Sequence, residues 1–409
     1  MGQHGGHHES DRGHGMRVFT KLMPLEKALA VAREATKPLK RVEGVPLERS
    51  VGRVLAQDVV SPVDVPAFDK AMMDGYAIRS QDVAAQGKAL DVVGEAHPGE
   101  PHLGTVLSGE AVKTATGAPV PAGTDAVVEV ELVEVQGSRV SVPQGLSPRR
   151  NVSPRGEDIG AGNLLLPAGS VLRPGRVGAV AALGVQELPV YARPRVAVLA
   201  TGREIKRGGT LRPGEVYDVN SFTLTGLIRE HGGSVELFDP IPDTYEAIRG
   251  AVARAENLDL VVLSGSTSVG ERDFLRDATA ELGEVLFHGV AMKPGKPLLL
   301  AKVGKGLVFG MPGFPASCLM AAYHFLLPVL RRMARHPEAP ERRPAILGED
   351  MPLKREKTQL VAVRREKGRA YRAFRGSGNI TGISRGDGYV VIPPGQALKE
   401  RDEIEVIDF

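Results

Sequence analysis

At 409 residues the chain exceeds one ordinary hydrophobic core and asks for about two to four domains. An apolar share of 42% and a charged share of 25% exclude a disordered or fibrous protein. A net charge of +3, without a long Lys/Arg block, argues against a nucleic-acid partner. So do the absence of tryptophan and the few Phe and Tyr residues, which suit a base-stacking protein poorly. Cys318 is the only cysteine, so no internal disulfide is possible and a reducing, cytoplasmic setting is expected. Its apolar helical surroundings, "PASCLMAAYHFLL", mark it as a core residue rather than a nucleophile. No apolar run approaches the roughly 18 residues of a membrane span, and no secretory signal is evident.

Residues 1–19 hold four of the ten histidines among glycines and charges, the composition of a disordered tail without fixed metal geometry. Residues 20–61 begin with an amphipathic helix in which Leu25, Ala28, Leu29 and Ala32 recur at helical spacing behind Pro24. Pro62 and Pro66 then punctuate "SPVDVPAFDKAMMDGYAIRSQD". "DAVVEVELVEVQGSRVSV" alternates apolar and polar residues around a break at Gln136-Gly137, a hairpin within a small β domain spanning 62–152. Residues 153–190 carry a helix bounded by Pro174 and Gly184.

From Arg195 short apolar strands alternate with helices ("RVAVLAT", "SVELFDPIP", "LDLVVLSG", "EVLFHGVAM", "PLLLAK", "GLVFGMPG"), which implies a parallel, doubly wound α/β domain over 191–338. "RHPEAPERRP" reads as a linker, and β patterning returns over 339–409 in "TQLVAVRRE", "RAYRAFRG", "GYVVIP" and "DEIEVIDF".

Ligands of an open α/β sheet bind at the carboxyl ends of its strands, and the unusual residues of this region fall there. One strand runs into "TGREI" with Glu204, and the next into "DPIPD" with Asp243. The third feeds "SGSTSVGERDF", where Ser264, Gly265, Ser266, Thr267, Ser268 and Gly270 precede Asp273. The remaining two lead to "MKPGKP" and "MPGFPAS". Each loop has two readings. The glycine-hydroxyl loop is either a tight turn with a capping hydroxyl or a wrap around an anion. The lysines of "MKPGKP" are either solvated or aimed at an oxyanion between rigid Pro-Gly units. Asp243 is either a helix N-cap or, with Asp273, a Mg²⁺ ligand beside a substrate phosphate. "GVAMKPGKP" has the wrong spacing for a P-loop, and GxGxxG, CxxC, HExxH and GxSxG signatures are missing where they would matter. The residues thus point to a Mg²⁺-dependent site for a phosphate-bearing anion.

"FDKAMMDGYA", "TATGAPVPAGTDAVV", "ATGREI", "SGSTSVGERDF", "MKPGKPLLL" and "GMPGFPAS" occur in that order, and together they resemble the molybdopterin molybdenumtransferases, relatives of the gephyrin E-domain. The resemblance implies four structural parts: a segmented connecting domain (20–61 and 153–190), a small β domain, a molybdopterin-binding α/β domain and a C-terminal β-barrel. It implies Mg²⁺-dependent insertion of molybdate into adenylylated molybdopterin with release of AMP, carried out by a homodimer. Transient contact with the adenylyltransferase and with cofactor-accepting proteins is implied as well. By motif position, Asp69 and Thr116 lie on the β-domain side, Asp243 and Asp273 serve metal and pyrophosphate, and Glu204 supports them. Ser264, Gly265, Ser268, Gly270, Lys293, Lys296, Pro312, Pro315, Ser317 and Ser377 would contact the substrate. The sequence departs from the family pattern at Ser266 and Thr267 (commonly Gly and Val), Phe314 (commonly Asn) and Lys70 (often Asn). The alternatives are the adenylyltransferase step itself or a non-catalytic, gephyrin-like scaffold.

Overall fold

The computed structural model describes residues 22–84, 87–265, 273–351, 356–373 and 380–409. They form two compact units, Glu43–Val190 and a second made of the segments before and after it.

In the second unit, helix α1 (Leu25–Ala35) starts behind Pro24 and buries Leu25, Ala28 and Ala32. The α/β sheet contains β1 (Arg195–Ala200), β2 (Ser234–Leu237), β3 (Leu260–Ser264), β4 (Glu284–His288), β5 (Leu299–Val303) and β6 (Gly306–Met311), in the order β2-β1-β3-β6-β5-β4. The first four in that order pair in parallel. β5 is antiparallel to both neighbours, so the sheet is mixed rather than parallel throughout. The cause is local: Gly304 at φ 57 makes the tight return from β5 into β6. Two reversals leave β4 running with the other four, and five strands therefore end on one rim.

Successive residues point to opposite faces, and both faces are covered. Val196, Val198, Val262 and Phe309 pack with α1, α2 (Asn220–Glu230) and the long carboxy-terminal helix. Ala197, Leu199, Val261 and Val308 pack with α3 (Tyr245–Ala253) and α4 (Phe274–Leu282). That long helix runs as α5 (Pro315–Ala321), a widened π turn (Ala322–Leu326) and α6 (Leu327–Met333). Pro328 explains the widening, because it cannot donate to the carbonyl of His324 one turn earlier and its ring crowds that carbonyl.

The barrel consists of β7 (Arg342–Leu347), β8 (Thr358–Glu366), β9 (Arg369–Arg372), β10 (Gly388–Ile392) and β11 (Glu403–Asp408). The circuit β8-β9-β7-β11-β10 closes through a β10–β8 pairing, around Leu347, Val363, Ala370, Ile392 and Val406. β7 corrects the expected linker, since Arg342, Arg343 and Pro344 already belong to a strand. Pro344 is tolerated because β7 pairs with β9 only at Ile346 and Leu347, leaving Pro344, two residues earlier, free of that ladder.

In the unit Glu43–Val190, a six-stranded sheet is ordered Ala126–Glu129, Gly75–Ile78, Glu110–Thr114, Lys88–Ala96, Arg139–Val142, Glu134–Gln136. The expected hairpin turns at Gly137, φ 61. Val45, Leu55 and Val59 share a core with Leu172, Val180 and Leu188. Chain on either side of the sheet thus shares one core.

His324 lines a cavity of about 240 Å³ bordered by α1, the long helix and the barrel. Its Nδ1 is 3.1 Å from the Tyr389 hydroxyl, while Nε2 is buried without a partner. Burial, then the Arg342 charge, pushes its pKa down from 6.5 to about 4. Between those values the unfolded chain takes up a proton that the folded chain refuses, so stability falls as pH falls. We expect the melting transition of this unit to lose on the order of 2 kcal/mol between pH 6.5 and 5 through this group. His324→Phe should flatten that acid limb in calorimetry, whereas an unchanged limb would remove His324 as its origin.

Candidate functional site

The rim of the α/β sheet is built by close backbone approach. Thr201, just beyond β1, donates its N–H to the Ser264 carbonyl at 2.8 Å and pairs with Ile241 beyond β2. Gly265 continues β3 at φ 103, and a Cβ there would lie 2.5 Å from the Thr201 carbonyl. Only glycine fits both the dihedral and the gap. Gly313 comes from the other side, where an added Cβ would meet the Gly265 Cα at 3.4 Å. Asn220, at the start of α2, donates from Nδ2 to the Gly313 carbonyl at 2.9 Å. Its Oδ1 is buried without a partner. Four chain segments therefore meet within single-contact distances.

The acidic residues stand on this rim in different states. Thr244 caps α3 through its hydroxyl, which accepts from the Ala247 N–H at 3.4 Å. Asp243 is therefore not the cap. Its pKa is raised, first by burial and then by the charges of Glu204 and Asp273, which both lie within electrostatic reach of it. Glu204 folds back over Gly202, where a Cβ would come within 2.6 Å of its Oε1. Asp273 does cap a helix: its Oδ1 accepts from the Arg276 N–H at 3.0 Å. Its Oδ2 lies 3.0 Å from Nε2 of His288, and each side chain is 16% exposed.

The lysine loop follows β4. Lys293 is exposed, while Gly295 takes φ 103. Met292 and Lys293 pair in parallel with Thr358 and Gln359 of β8, so the loop is also the rim's connection to the barrel. Val290 donates to the Lys296 carbonyl at 2.9 Å, and Ala291 to that of Met23 at 2.8 Å. Pro312 is buried, Pro315 opens α5 and Ser317 is 6% exposed. Phe314, in place of the usual Asn, is 67% exposed and caps nothing. Cys318 is fully buried, and burial pushes its thiol pKa up, as a core residue requires.

Asp69 and Thr116 belong to the other unit. Its Lys70–Pro119 bridge and the Gly117 N–H to Ala71 carbonyl bond set their two segments side by side. Asp69 Oδ1 accepts from the Arg155 N–H at 2.8 Å. Thr116 gives both its N–H (2.7 Å) and its hydroxyl (2.8 Å) to Oδ1 of Asp74, lowering the Asp74 pKa. Ser266, Thr267, Ser268, Gly270 and Ser377 lie outside the described residues.

Sequence reasoning missed three of these participants. His288 was legible only as a polar residue inside the apolar strand "EVLFHGVAM". Asp74 stood inside a quoted motif without a role, and Asn220 looked like any residue beginning a helix. Among the described residues no three His, Cys, Asp or Glu converge as a metal cage, and none of the helices is long and apolar enough to cross a membrane. The donor set still suits Mg²⁺, which takes one or two carboxylates and completes its shell with water and substrate phosphate.

Known proteins place this arrangement in context. Residues 23–184 match the MoeA N-terminal region (domain I and II), residues 197–332 a probable molybdopterin binding domain, and residues 344–409 the MoeA C-terminal region (domain IV). A molybdopterin molybdenumtransferase from Haemophilus influenzae is 33% identical over 315 residues, covering 76% of this chain and 78% of its own. Molybdopterin molybdenumtransferase 2 of Mycobacterium tuberculosis is 35% identical over 318 residues, covering 75% and 78%. The crystal structure of the Pyrococcus horikoshii molybdopterin biosynthesis MoeA protein superposes with a TM-score of 0.82 at 35% identity, over 95% of this chain and 99% of that one. With all three regions matched in order and the fold shared nearly end to end, the chain belongs to the molybdopterin molybdenumtransferase (MoeA) family of molybdenum cofactor biosynthesis enzymes.

Proposed function

We propose that this enzyme inserts molybdate into adenylylated molybdopterin in a Mg²⁺-dependent reaction that releases AMP, acting as a cytoplasmic homodimer. The observation that carries the reading is the rim itself: a lysine loop and a carboxylate, Asp243, that feels the charges of Glu204 and Asp273 stand at the ends of strands that share one direction. A phosphoanhydride needs positive charge on its oxygens, and carboxylates crowd usefully near it only when a cation lies between.

In this reading Asp243 and Asp273 hold Mg²⁺, whose charge would neutralise the developing negative charge on the phosphates. Glu204 keeps the acidic set together. Lys293 and Lys296 receive oxyanions of molybdate or phosphate, and the backbone at Ser264 and Gly265 lines the phosphate path with Pro312, Pro315 and Ser317. Ser268, Gly270 and Ser377 are assigned to the same substrate by their motif positions. Asp69 and Thr116 are assigned to the substrate by their motif positions, with Asp74 fixing the Thr116 hydroxyl. Transient contact with the protein that supplies the adenylylated pterin, and with acceptors of the finished cofactor, follows from the instability expected of such intermediates.

The purified chain should release AMP from adenylylated molybdopterin only when both molybdate and Mg²⁺ are present. Release that ignores molybdate would sink the insertion reading, and AMP transfer from ATP to molybdopterin would replace it with the preceding step. Asp273→Asn isolates charge from folding, because Asn caps a helix as well as Asp does. Its melting temperature should stay near that of the parent while turnover falls at least about 100-fold; full activity would take Asp273 out of the site. Lys293→Ala should raise the molybdate concentration for half-maximal rate by about 10-fold or more, the loss of one charge-assisted contact. An unchanged molybdate response would free Lys293 from that role.

A further inference from the structure

Thr116 stands at the corner of a β-turn whose backbone is fixed on both flanks. Ala118 donates to the Ala115 carbonyl at 3.0 Å and closes the turn, with Gly117 at φ 87 in its third position. Ala115 donates to the Ala96 carbonyl at 3.0 Å, and Gly117 to that of Ala71 at 2.8 Å. Asp74 is equally constrained. Its carbonyl accepts from the Val130 N–H at 3.0 Å. The next residue, Gly75, has no room for a side chain, since a Cβ there would lie 1.8 Å from the Val128 carbonyl oxygen. Between these two fixed points a single oxygen, Asp74 Oδ1, takes both the N–H of Thr116 (2.7 Å) and its hydroxyl (2.8 Å).

Those two bonds decide how Thr116 can meet a ligand. A carboxylate only accepts, and the bonds from Thr116, the backbone one first, lower the Asp74 pKa and keep it ionised. The hydroxyl must therefore donate to it, and a hydroxyl has one hydrogen. Both donors of Thr116 are thus spent, and its hydroxyl oxygen is left as an acceptor. Asp69 is joined to the same stretch by the bond from the Val120 N–H to its carbonyl, 2.8 Å, and adds a second carboxylate. Lys70 is the one ammonium in "FDKAMMDGY" and "TATGAPV", so an oxyanion could be attracted by Lys70 but not by Thr116.

We infer that Asp74 makes Thr116 an acceptor-only contact, a subsite for an N–H-bearing ring edge of the substrate and not for its phosphates or for molybdate. This rests on the reading of Thr116 as a substrate contact and adds which end of the substrate it takes. Phosphate and molybdate oxygens are themselves acceptors. Beside Asp74 they would meet like charge with no donor to offset it. The aminopyrimidinone edge of a pterin presents an amine and a ring N–H side by side, two donors for the neighbouring oxygens of Thr116 and Asp74. Adenosine offers one amine and hydroxyls that also accept. The pterin is the end that this pair fits.

The test measures dissociation constants by isothermal titration calorimetry on the full chain, without oxygen and with Mg²⁺ present. Three probes divide the substrate: molybdopterin (pterin and phosphate), AMP (adenosine and phosphate) and pyrophosphate (phosphate alone). Thr116→Val keeps the backbone N–H and the turn but removes the hydroxyl. It should weaken molybdopterin about 5- to 10-fold, the loss of one hydrogen bond, and leave AMP and pyrophosphate unchanged. Thr116→Ser should restore parental binding. Asp74→Ala should weaken molybdopterin at least as much while binding pyrophosphate no less tightly than the parent; should it unfold, the two Thr116 variants decide alone. If Thr116→Val weakens AMP in place of molybdopterin, the pterin assignment is overturned and the subsite belongs to adenosine. If pyrophosphate weakens, if both phosphate esters weaken together, or if Thr116→Ser restores nothing, the acceptor-only role is wrong. If Thr116→Val alters none of the three while the parent binds them, Thr116 is no substrate contact, and that reading fails together with this one. A parent chain that binds none of the probes would overturn the substrate reading itself.

Discussion

Parallel pairing of β1, β2, β3 and β6 is the constraint on which the rest depends. Strands that share a direction must send their chain back over a face before pairing again. Every crossover therefore leaves from the same edge. That edge collects Thr201, Asp243, Gly265 and Gly313 whatever their distance in sequence. β5 tests the rule by breaking it, since its tight return through Gly304 lets it run backwards without a crossover. Because β4 is reversed again relative to β5, the lysine loop is delivered to the same edge as the acidic loops.

Packing at that edge is tight enough to have chemical consequences. Gly265 is pressed against the Thr201 carbonyl on one side and Gly313 on the other, so no side chain intrudes where the loop begins. Core side chains hold the strands apart by fixed distances on both faces, and the rim inherits that rigidity. The carboxylates of Glu204, Asp243 and Asp273 are close enough to raise the Asp243 pKa, burial contributing most. Like charges held in such company are a cost to folding, and a bound divalent cation would relieve it.

Much of this was legible beforehand because strand length, apolar runs and glycine punctuation are local signals. All six sheet strands and their helices fell where the apolar runs placed them, and the Gln136-Gly137 break became a turn at Gly137. What escaped was non-local. The reversal of β5 depends on a two-residue connection that looks like any Gly-Lys turn. β7 was hidden by Pro344, which reads as a linker unless its one-sided pairing is known. Asp243 and Thr244 are both good caps by type, and only the backbone shows that Thr244 takes the role. The approach of His288 to Asp273, fifteen residues earlier, is likewise non-local, since α4 and β4 bring the two within 3.0 Å.

The mixture of charges at the rim narrows what it suits. Carboxylates alone would repel a phosphate, and two lysines alone would accept any oxyanion that fits. Acidic loops and a lysine loop on one rim together suit a ligand that carries negative charge and brings a hard cation with it, the reading proposed above. The barrel enters the same account through Thr358 and Gln359, which hydrogen-bond to the lysine loop's own strand. A movement of the barrel would therefore be felt at Lys293, whereas Asp273 is tied to the first turn of α4. The lysine loop and the acidic loops thus share a rim but hang from different supports, the barrel strand β8 for one and helix α4 for the other.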